Sequence, residues 1–131
     1  MSVFTVFNPV ILSIVGSKCA AKYQLGEQCQ ELLMHHYEPE VGQAMGMLGH
    51  FAEAKALLIK AGAADVVVAQ SQGGTSPGTF VFQVQYESGA TFGATIDGLT
   101  TNQAWMEFWA RISENPSATL VRHEMFTGVD I

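Results

Sequence analysis

The stretch DVVVAQSQGGTSPGTFVFQVQY, from Asp65 to Tyr86, carries the strongest secondary-structure signal in the chain. It begins with β-branched valines, which favour a strand. From Thr79 onward apolar and polar residues alternate, as in a strand whose two faces meet different surroundings. One face then carries Phe80, Phe82, Val84 and Tyr86, and the other carries Val81, Gln83 and Gln85. The Gly- and Pro-rich residues 73–78 between the two runs predict a turn, so the stretch predicts a β-hairpin.

A helix is predicted before this hairpin, from about Glu40 to Ala61. Gly62 follows it and supplies a C-terminal stop. Apolar residues recur along the segment at helical spacing, and we expect them to form its buried face. These residues are Val41, Met45, Leu48, Ala52 and Ile59.

Two helical segments and a strand are predicted after the hairpin. Ser88 and Asn102 are suited to cap the two segments, which are separated by a break at residues 100–102. The second segment ends at Pro116, and a last strand follows from Ala118 to Phe126. Apolar stripes mark the buried sides of these helices. The stripes are Phe92, Ile96 and Leu99 in the first segment, and Trp105, Phe108, Trp109 and Ile112 in the second.

The first strand is predicted from Glu31 to Glu38, because the run has strand length and ends at Pro39. The order β-α-β-β-α-β predicts an α+β, ferredoxin-like domain over residues 31–131, with a four-stranded antiparallel sheet and the helices on one face. Residues 1–30 are then an N-terminal extension, either an edge strand or an arm. A rival interpretation makes Val3 to Leu12 the first strand and places residues 27–37 in a helix.

Composition limits the classes of partner. The chain has 131 residues, of which 48% are hydrophobic, and this suits one domain with one core. A net charge of −6 argues against nucleic acid and anionic membranes, because phosphate binding needs clustered cations. The six basic residues are scattered: Lys18, Lys22, Lys55, Lys60, Arg111 and Arg122.

The N-terminal sequence lacks the features of a signal peptide, so we expect a cytoplasmic protein. The apolar run from Val3 to Val15 has no basic residue before it and is interrupted by Asn8 and Pro9, so neither a signal peptide nor a membrane span is expected. Cys19 and Cys29 fit free thiols in a reducing compartment, with a disulfide in an exported protein as the alternative.

Two stretches resemble the dimeric α/β-barrel superfamily, which includes antibiotic-biosynthesis monooxygenases and small stress-responsive proteins. They are KAGAADVVVAQSQGGTSPGTFVFQVQYES (Lys60 to Ser88) and AWMEFWARISENPSATLVRHEMF (Ala104 to Phe126). In that superfamily an aromatic-Glu-Ser sequence leads into the second helix, as Tyr86-Glu87-Ser88 does here. A Trp-containing helix then ends at a Pro-containing turn before the last strand. The resemblance covers roughly residues 31–131.

The resemblance implies a homodimer in which two sheets close into one barrel. It also implies that a small, often hydrophobic ligand lies between the sheet and the helices or inside the barrel. Members include cofactor-free oxygenases, haem-degrading enzymes, isomerases and proteins without known activity. This chain has no histidine on its second helix, where haem-degrading members carry the iron ligand, so no cofactor is expected.

His35, His36 and Tyr37 are the candidate catalytic residues. Because successive strand residues face opposite ways, His35 and Tyr37 share one face and His36 takes the other. A histidine beside a phenol in a dry pocket is suited to act as a base toward an acidic ligand. The alternative, which adjacency alone favours, is that one histidine is exposed to solvent and the other is a hydrogen-bonded interface residue. His50, on the first helix near Glu53 and Lys60, is expected to be exposed.

The candidate ligand-binding residues come from three other elements. Gln83 and Gln85 carry amides on the hairpin face that the helices do not cover, and covered amides need hydrogen-bond partners. Arg122 and His123 lie on the last strand and face opposite ways. Trp105 and Trp109 belong to a stripe that favours core packing, although either ring could form the wall of a pocket. The strand histidines give no recognised ligand spacing, so no metal site is predicted.

Two functions are therefore expected for the domain. The first is a homodimer that binds a small apolar or aromatic molecule and oxidises it without metal or flavin, in a dry pocket that contains a base. The second is a non-catalytic binding, structural or stress-related protein with the same fold. No hydrolase elbow, phosphate-binding loop, dinucleotide fingerprint or zinc-protease motif occurs in the sequence.

Overall fold

Strands and helices alternate through the part of the chain that the computed structural model describes, residues 31–74 and 78–129. The strands are β1 (Glu31–Pro39), β2 (Asp65–Gln70), β3 (Phe80–Tyr86) and β4 (Ala118–Thr127). The helices are α1 (Ala44–Ala61), α2 (Gly89–Leu99) and α3 (Gln103–Glu114). The predicted N-terminal extension, with its strand candidate Val3 to Leu12 and both cysteines, lies outside the described residues.

The sheet is antiparallel, and its strands follow the order β2-β3-β1-β4. This order confirms the predicted ferredoxin-like class and the β2–β3 hairpin. β1 pairs with β3 on one side and β4 on the other. The rival interpretation, with a helix over residues 27–37, is wrong for the described residues 31–37. Two hydrogen-bonded neighbours make this segment a central strand despite its Leu and Met content.

The core lies between the sheet and the three helices. Phe80, Phe82, Val84 and Tyr86 face this core, as their alternation predicts. The Phe82 ring packs against Phe51 of α1 with centroids 5.0 Å apart, and Phe51 also contacts Tyr37 of β1 at 5.2 Å. These contacts identify the face of the sheet that the helices cover, which we call the helix face. The other side is called the open face.

The buried face of α1 matches the predicted one only in part, since Leu48 and Ile59 pack against the core while the other three predicted residues are exposed. Met45 is 79% exposed and Val41, which precedes the helix, is fully exposed. The buried residues are instead Met47, Phe51, Ala54 and Leu58. Apolar and small residues occur on every side of this helix, so several stripes share the helical period. The stripe that contains Phe51 is the buried one, because the Phe51 ring packs against Phe82 and Tyr37.

Both predicted helix caps are confirmed. The Ser88 hydroxyl accepts the backbone N–H of Thr91 at the start of α2. The Asn102 side chain accepts the backbone N–H of Trp105 at the start of α3. Each cap satisfies an amide that the first turn of a helix leaves unpaired.

β4 forms one edge of the sheet and is irregular. His36 pairs with Arg122 and Tyr37 with Leu120, so Val121 is an extra residue in β4. Large apolar side chains of this strand stay about half exposed, among them Leu120 at 47% and Met125 at 44%. The helices therefore leave part of this edge uncovered.

No helix within the described ranges is both long and apolar enough to cross a membrane. The cytoplasmic location stays a prediction.

Truncating two apolar residues of α1 tests which stripe is buried. Phe51→Ala should lower the free energy of unfolding by about 3–5 kcal/mol, because it leaves a cavity between the helix and the sheet. Met45→Ala should change it by about 0.5 kcal/mol or less, because the side chain is exposed. Urea denaturation monitored by circular dichroism measures both. Similar losses of unfolding free energy in the two variants would contradict the observed rotation of α1 about its axis.

Candidate ligand cavity

A cavity of about 270 Å³ lies between the helix face and the three helices. Its walls are almost entirely apolar and aromatic, which is typical of sites for small organic molecules. Imidazole and hydroxyl groups interrupt the apolar lining at a few positions. The lining residues include Leu33, Met47, Phe51, Phe82, Val84, Leu99, Phe108 and Ile112, together with His35, Tyr37, His50, Tyr86, Trp105, Trp109 and Ser117.

His35 and Tyr37 reach the cavity from β1 and share one face, as predicted, and that face is the helix face. The alternation of the strand places both on this side, with ring centroids 6.2 Å apart. Burial of the imidazole, followed by repulsion from His123 and His36, lowers the pKa of His35 below its usual value of 6.5. His35 is therefore an uncharged imidazole at neutral pH. Its buried Nδ1 has no hydrogen-bond partner within the described ranges.

Two phenols in the cavity stay protonated at neutral pH. Burial raises the pKa of Tyr37 above 10.0 and raises the pKa of Tyr86 to about 12. Each hydroxyl can donate a hydrogen bond, but neither phenol is a base near pH 7. Of the two predicted side chains at the cavity, His35 is therefore the one that can accept a proton.

His50 and Ser117 form a polar pair that the sequence did not predict. His50 lies on α1, and Ser117 lies in the turn before β4. The imidazole Nδ1 is 2.8 Å from the Ser117 hydroxyl, and both residues line the cavity. The expectation that His50 is exposed is wrong, because its side chain turns toward the sheet to contact Ser117 and is partly buried in the cavity lining. No pattern in the sequence links positions 67 residues apart.

Trp105 and Trp109 both line the cavity from α3. Trp105 stacks on buried Phe108 with centroids 5.7 Å apart, and Trp109 meets the same ring edge-on at 5.8 Å. Trp109 remains 44% exposed, so its indole separates the cavity from solvent. The predicted core stripe thus serves as a wall of the cavity as well.

His123 lies on the helix face beside His35 but is not among the residues that line the cavity. It pairs with His35 across β1 and β4, and the two rings stack with centroids 6.0 Å apart. Its effect on the cavity is electrostatic, since a positive charge there would oppose protonation of His35.

The remaining predicted residues lie on the open face. His36 Nε2 is 2.9 Å from Glu124 Oε1, and Arg122 Nε is 3.3 Å from the same oxygen. Gln83 and Gln85 are also on this side and are buried, and their side-chain oxygens have no hydrogen-bond partner among the described residues. The strands thus separate the sequence candidates into two groups on opposite sides of the sheet.

Residues 31–74 and 78–129 contain no group of three or more His, Cys, Asp or Glu side chains placed to bind a metal ion. Of these four residue types, the described part of the cavity lining contains histidine alone. The groups that could contact a ligand there are rings, imidazoles and hydroxyls.

Solved structures with the same arrangement identify the fold. SnoaB, a cofactor-independent oxygenase from Streptomyces nogalater, aligns with a TM-score of 0.57 over 79% of this chain and 96% of that one, at 10% identity. The chain has the fold of the antibiotic-biosynthesis monooxygenases. A protein of that type from Chloroflexus aurantiacus aligns with a TM-score of 0.54 over 78% of this chain and 95% of that one, at 16% identity.

The same fold occurs in a NIPSNAP domain protein as well. An uncharacterised NIPSNAP domain protein from Burkholderia xenovorans aligns with a TM-score of 0.57 over 77% of this chain and 93% of that one, at 19% identity. No protein-family model and no curated protein sequence matches the chain. At these identities the similarity shows the fold, and the chemistry has to be argued from the cavity.

The burial of His35 in the cavity can be tested by measuring its protonation. Its pKa should lie below 6.5 in an NMR titration of the imidazole protons. Because the folded value lies below the unfolded one, the unfolded chain binds more protons between the two values. His35 should therefore contribute stability above pH 6.5 that is lost as the pH falls toward its folded pKa.

Two variants separate the causes of this shift. His123→Gln should raise the pKa of His35 while leaving it below 6.5, because burial is the larger cause and remains. His35→Gln should reduce the loss of unfolding free energy between pH 7 and pH 5. A His35 pKa at or above 6.5 in the unmodified protein would show that the imidazole is not buried as described.

Proposed function

We propose that the protein binds a small apolar or aromatic molecule in the cavity and oxidises it in a monooxygenase-like reaction that needs no cofactor. The observation that carries this proposal is the uncharged imidazole of His35 inside a cavity with apolar and aromatic walls. The similarity in fold to a cofactor-independent oxygenase supports the same chemistry. Apolar walls exclude water, which would otherwise compete for the imidazole and for a reactive ligand anion.

His35 is the proposed general base. A ligand with an acidic C–H or O–H bond beside an aromatic ring loses its proton to the imidazole. The lowered pKa keeps His35 unprotonated and ready to accept that proton. The carbanion or phenolate then transfers an electron to O2, so the ligand is its own reductant. The aromatic walls orient the flat ligand beside the base.

The reaction balances without a further reductant. When a ring CH2 group becomes C=O, one oxygen atom of O2 enters the ligand and the other leaves as water. The four electrons that reduce O2 come from the oxidised carbon. The proton taken by His35 returns to the reduced oxygen, so the imidazole ends the cycle unprotonated.

We also propose that a second copy of the chain covers the open face. Leu32, Val67, Gln83 and Gln85 lie there and are buried within a single chain, and the oxygens of both amides lack partners in the part of the chain described. The area left for a partner comes from half-buried Met34 and from the side chains of Arg122 and Glu124, which are 49% and 42% exposed. A facing sheet could supply apolar contacts and hydrogen-bond donors together. Phe126 of β4, which pairs with Leu32 and is 38% exposed, would gain cover in the same assembly.

Paired histidine variants test the base. With a ligand that supports oxygen uptake, His35→Gln should lower kcat by roughly 10²–10⁴-fold, because the proton acceptor is lost. His36→Gln, the adjacent histidine on the open face, serves as the matched control and should retain activity. An oxygen electrode and a panel of phenols, anthrones and quinols provide the measurement. Loss of activity in His36→Gln alone would reject His35 as the base.

The same panel distinguishes the two expected functions. Oxygen uptake together with an oxygenated product, detected by mass spectrometry after incubation under ¹⁸O2, supports the monooxygenase-like reaction. Ligands that bind without oxygen uptake identify a non-catalytic binding protein instead. If no apolar or aromatic compound binds, both the oxygenase and the ligand-binding proposals are rejected.

Sedimentation velocity at micromolar concentration should show a dimer. Met34→Asp should convert it to a monomer, because a buried carboxylate would oppose the facing sheet. Val41→Asp adds the same charge at a fully exposed position away from the sheet and should remain dimeric. An unmodified protein that sediments as a monomer would overturn the proposal.

A further inference from the structure

The His50–Ser117 pair lies toward one end of the cavity. Ala118 pairs with Pro39, so Ser117 lies beyond the C-terminal end of β1, near Tyr37. Tyr86 pairs with Glu31 at the opposite end of the same strand. With a rise of about 3.3 Å per residue, these two ends of β1 are far enough apart for one ligand to meet distinct surroundings at each. A ligand oxygen at the Ser117 end would thus lie away from Tyr86.

The Ser117 hydroxyl has unused hydrogen-bonding capacity. The residue is 4% exposed, and its hydroxyl contacts His50 Nδ1 at 2.8 Å. A hydroxyl has one donor and two acceptor sites, so the bond to the imidazole leaves further sites open. Since Ser117 lines the cavity, a ligand atom there can take one of them. If His50 Nδ1–H donates to Ser117, the Ser117 hydroxyl can donate to a ligand oxygen; if Ser117 donates to Nδ1, its oxygen can accept from a ligand hydroxyl.

The backbone holds Ser117 in place. Its carbonyl oxygen accepts the backbone N–H of Glu40 at 2.9 Å, which ties the turn before β4 to the end of β1. His50 projects from the interior of α1, whose next residue, Phe51, is fixed by Phe82 and Tyr37. Both members of the pair are therefore attached to rigid elements, as a selective hydrogen-bonding site requires.

Charge also constrains the ligand. Among the described residues that line the cavity, none is Lys, Arg, Asp or Glu. Glu53, one turn beyond His50, is engaged by two hydrogen bonds from Arg111, at 2.6 and 2.9 Å, on the exposed side of α1 and α3. An ionised ligand would lose its hydration without gaining a permanent counter-ion.

We propose that His50 and Ser117 form a hydrogen-bonding subsite that selects an uncharged aromatic ligand bearing a hydroxyl or carbonyl oxygen. This inference rests on the proposed ligand cavity and specifies the class of molecule that it accepts. The His50 imidazole orients the Ser117 hydroxyl, and the hydroxyl contacts the ligand oxygen. Aromatic compounds that lack an oxygen bind more weakly, and their carboxylate analogues bind more weakly still.

Three matched compounds test the subsite: indane, 5-indanol and indane-5-carboxylate. They share one ring system and differ in the group that would reach Ser117. NMR titration of the full-length protein measures each dissociation constant. 5-Indanol should bind about tenfold more tightly than indane, as expected for one additional hydrogen bond in a dry site. Indane-5-carboxylate should bind less tightly than indane.

Variants assign the preference to the pair. Ser117→Ala should weaken 5-indanol binding about tenfold and leave indane binding unchanged, so the preference disappears. His50→Leu should reduce the same preference, because the hydroxyl loses its orienting partner. Ser113→Ala is the matched control, since Ser113 lies on the exposed side of α3 and binds the Trp109 carbonyl oxygen. It should keep the preference, and retained indane binding reports that each variant is folded.

The outcomes separate this inference from the function it rests on. If none of the three compounds binds, the ligand cavity and the subsite are both rejected. If indane binds and 5-indanol shows no advantage, or if Ser117→Ala keeps the advantage, the subsite alone is rejected. Tightest binding of the carboxylate would also reject it, because the pair would then be an anion site.

Discussion

The alternation of side chains along β1 is the constraint on which the two surfaces of the sheet depend. β1 is central, so every residue in it faces either the helices or the open side. Adjacent His35 and His36 consequently have different surroundings: one lines an apolar cavity, and the other binds a carboxylate. A shift of one position in the pairing would exchange them. The chemistry proposed for each face depends on this register.

Burial on the helix face determines the protonation of the cavity. Imidazole and phenol both favour their uncharged forms when they lose water, although their pKa values move in opposite directions. Thus His35 becomes easier to deprotonate, while Tyr37 and Tyr86 hold their protons. The cavity therefore combines a neutral acceptor, His35, with two neutral phenol donors, beside the His50–Ser117 pair. A site of this kind suits an uncharged organic molecule better than a phosphate or a carboxylate.

The open face differs because no described helix packs on it. Its groups are mixed, with apolar side chains beside amides and the His36–Glu124–Arg122 cluster. A facing sheet would need to match both kinds of group, which favours a self-complementary partner. The predicted roles of Gln83, Gln85, Arg122 and His36 in ligand binding or catalysis would accordingly belong to an assembly between copies rather than to the cavity.

The sequence by itself determined the elements whose signals are local. Valine runs, the 73–78 turn and the alternation after Thr79 predicted the hairpin, and Ser88 and Asn102 predicted the caps. The separation of His35 from His36 also followed from strand period alone. The buried stripe of α1 did not, because apolar residues on all sides left its rotation open until Phe51 met Phe82. Only the tertiary structure brought His50 to Ser117, since the turn before β4 reaches α1 through the β1–β4 pairing and the Glu40–Ser117 bond. Contacts between distant positions depend on how the elements pack, and local periodicity does not predict that packing.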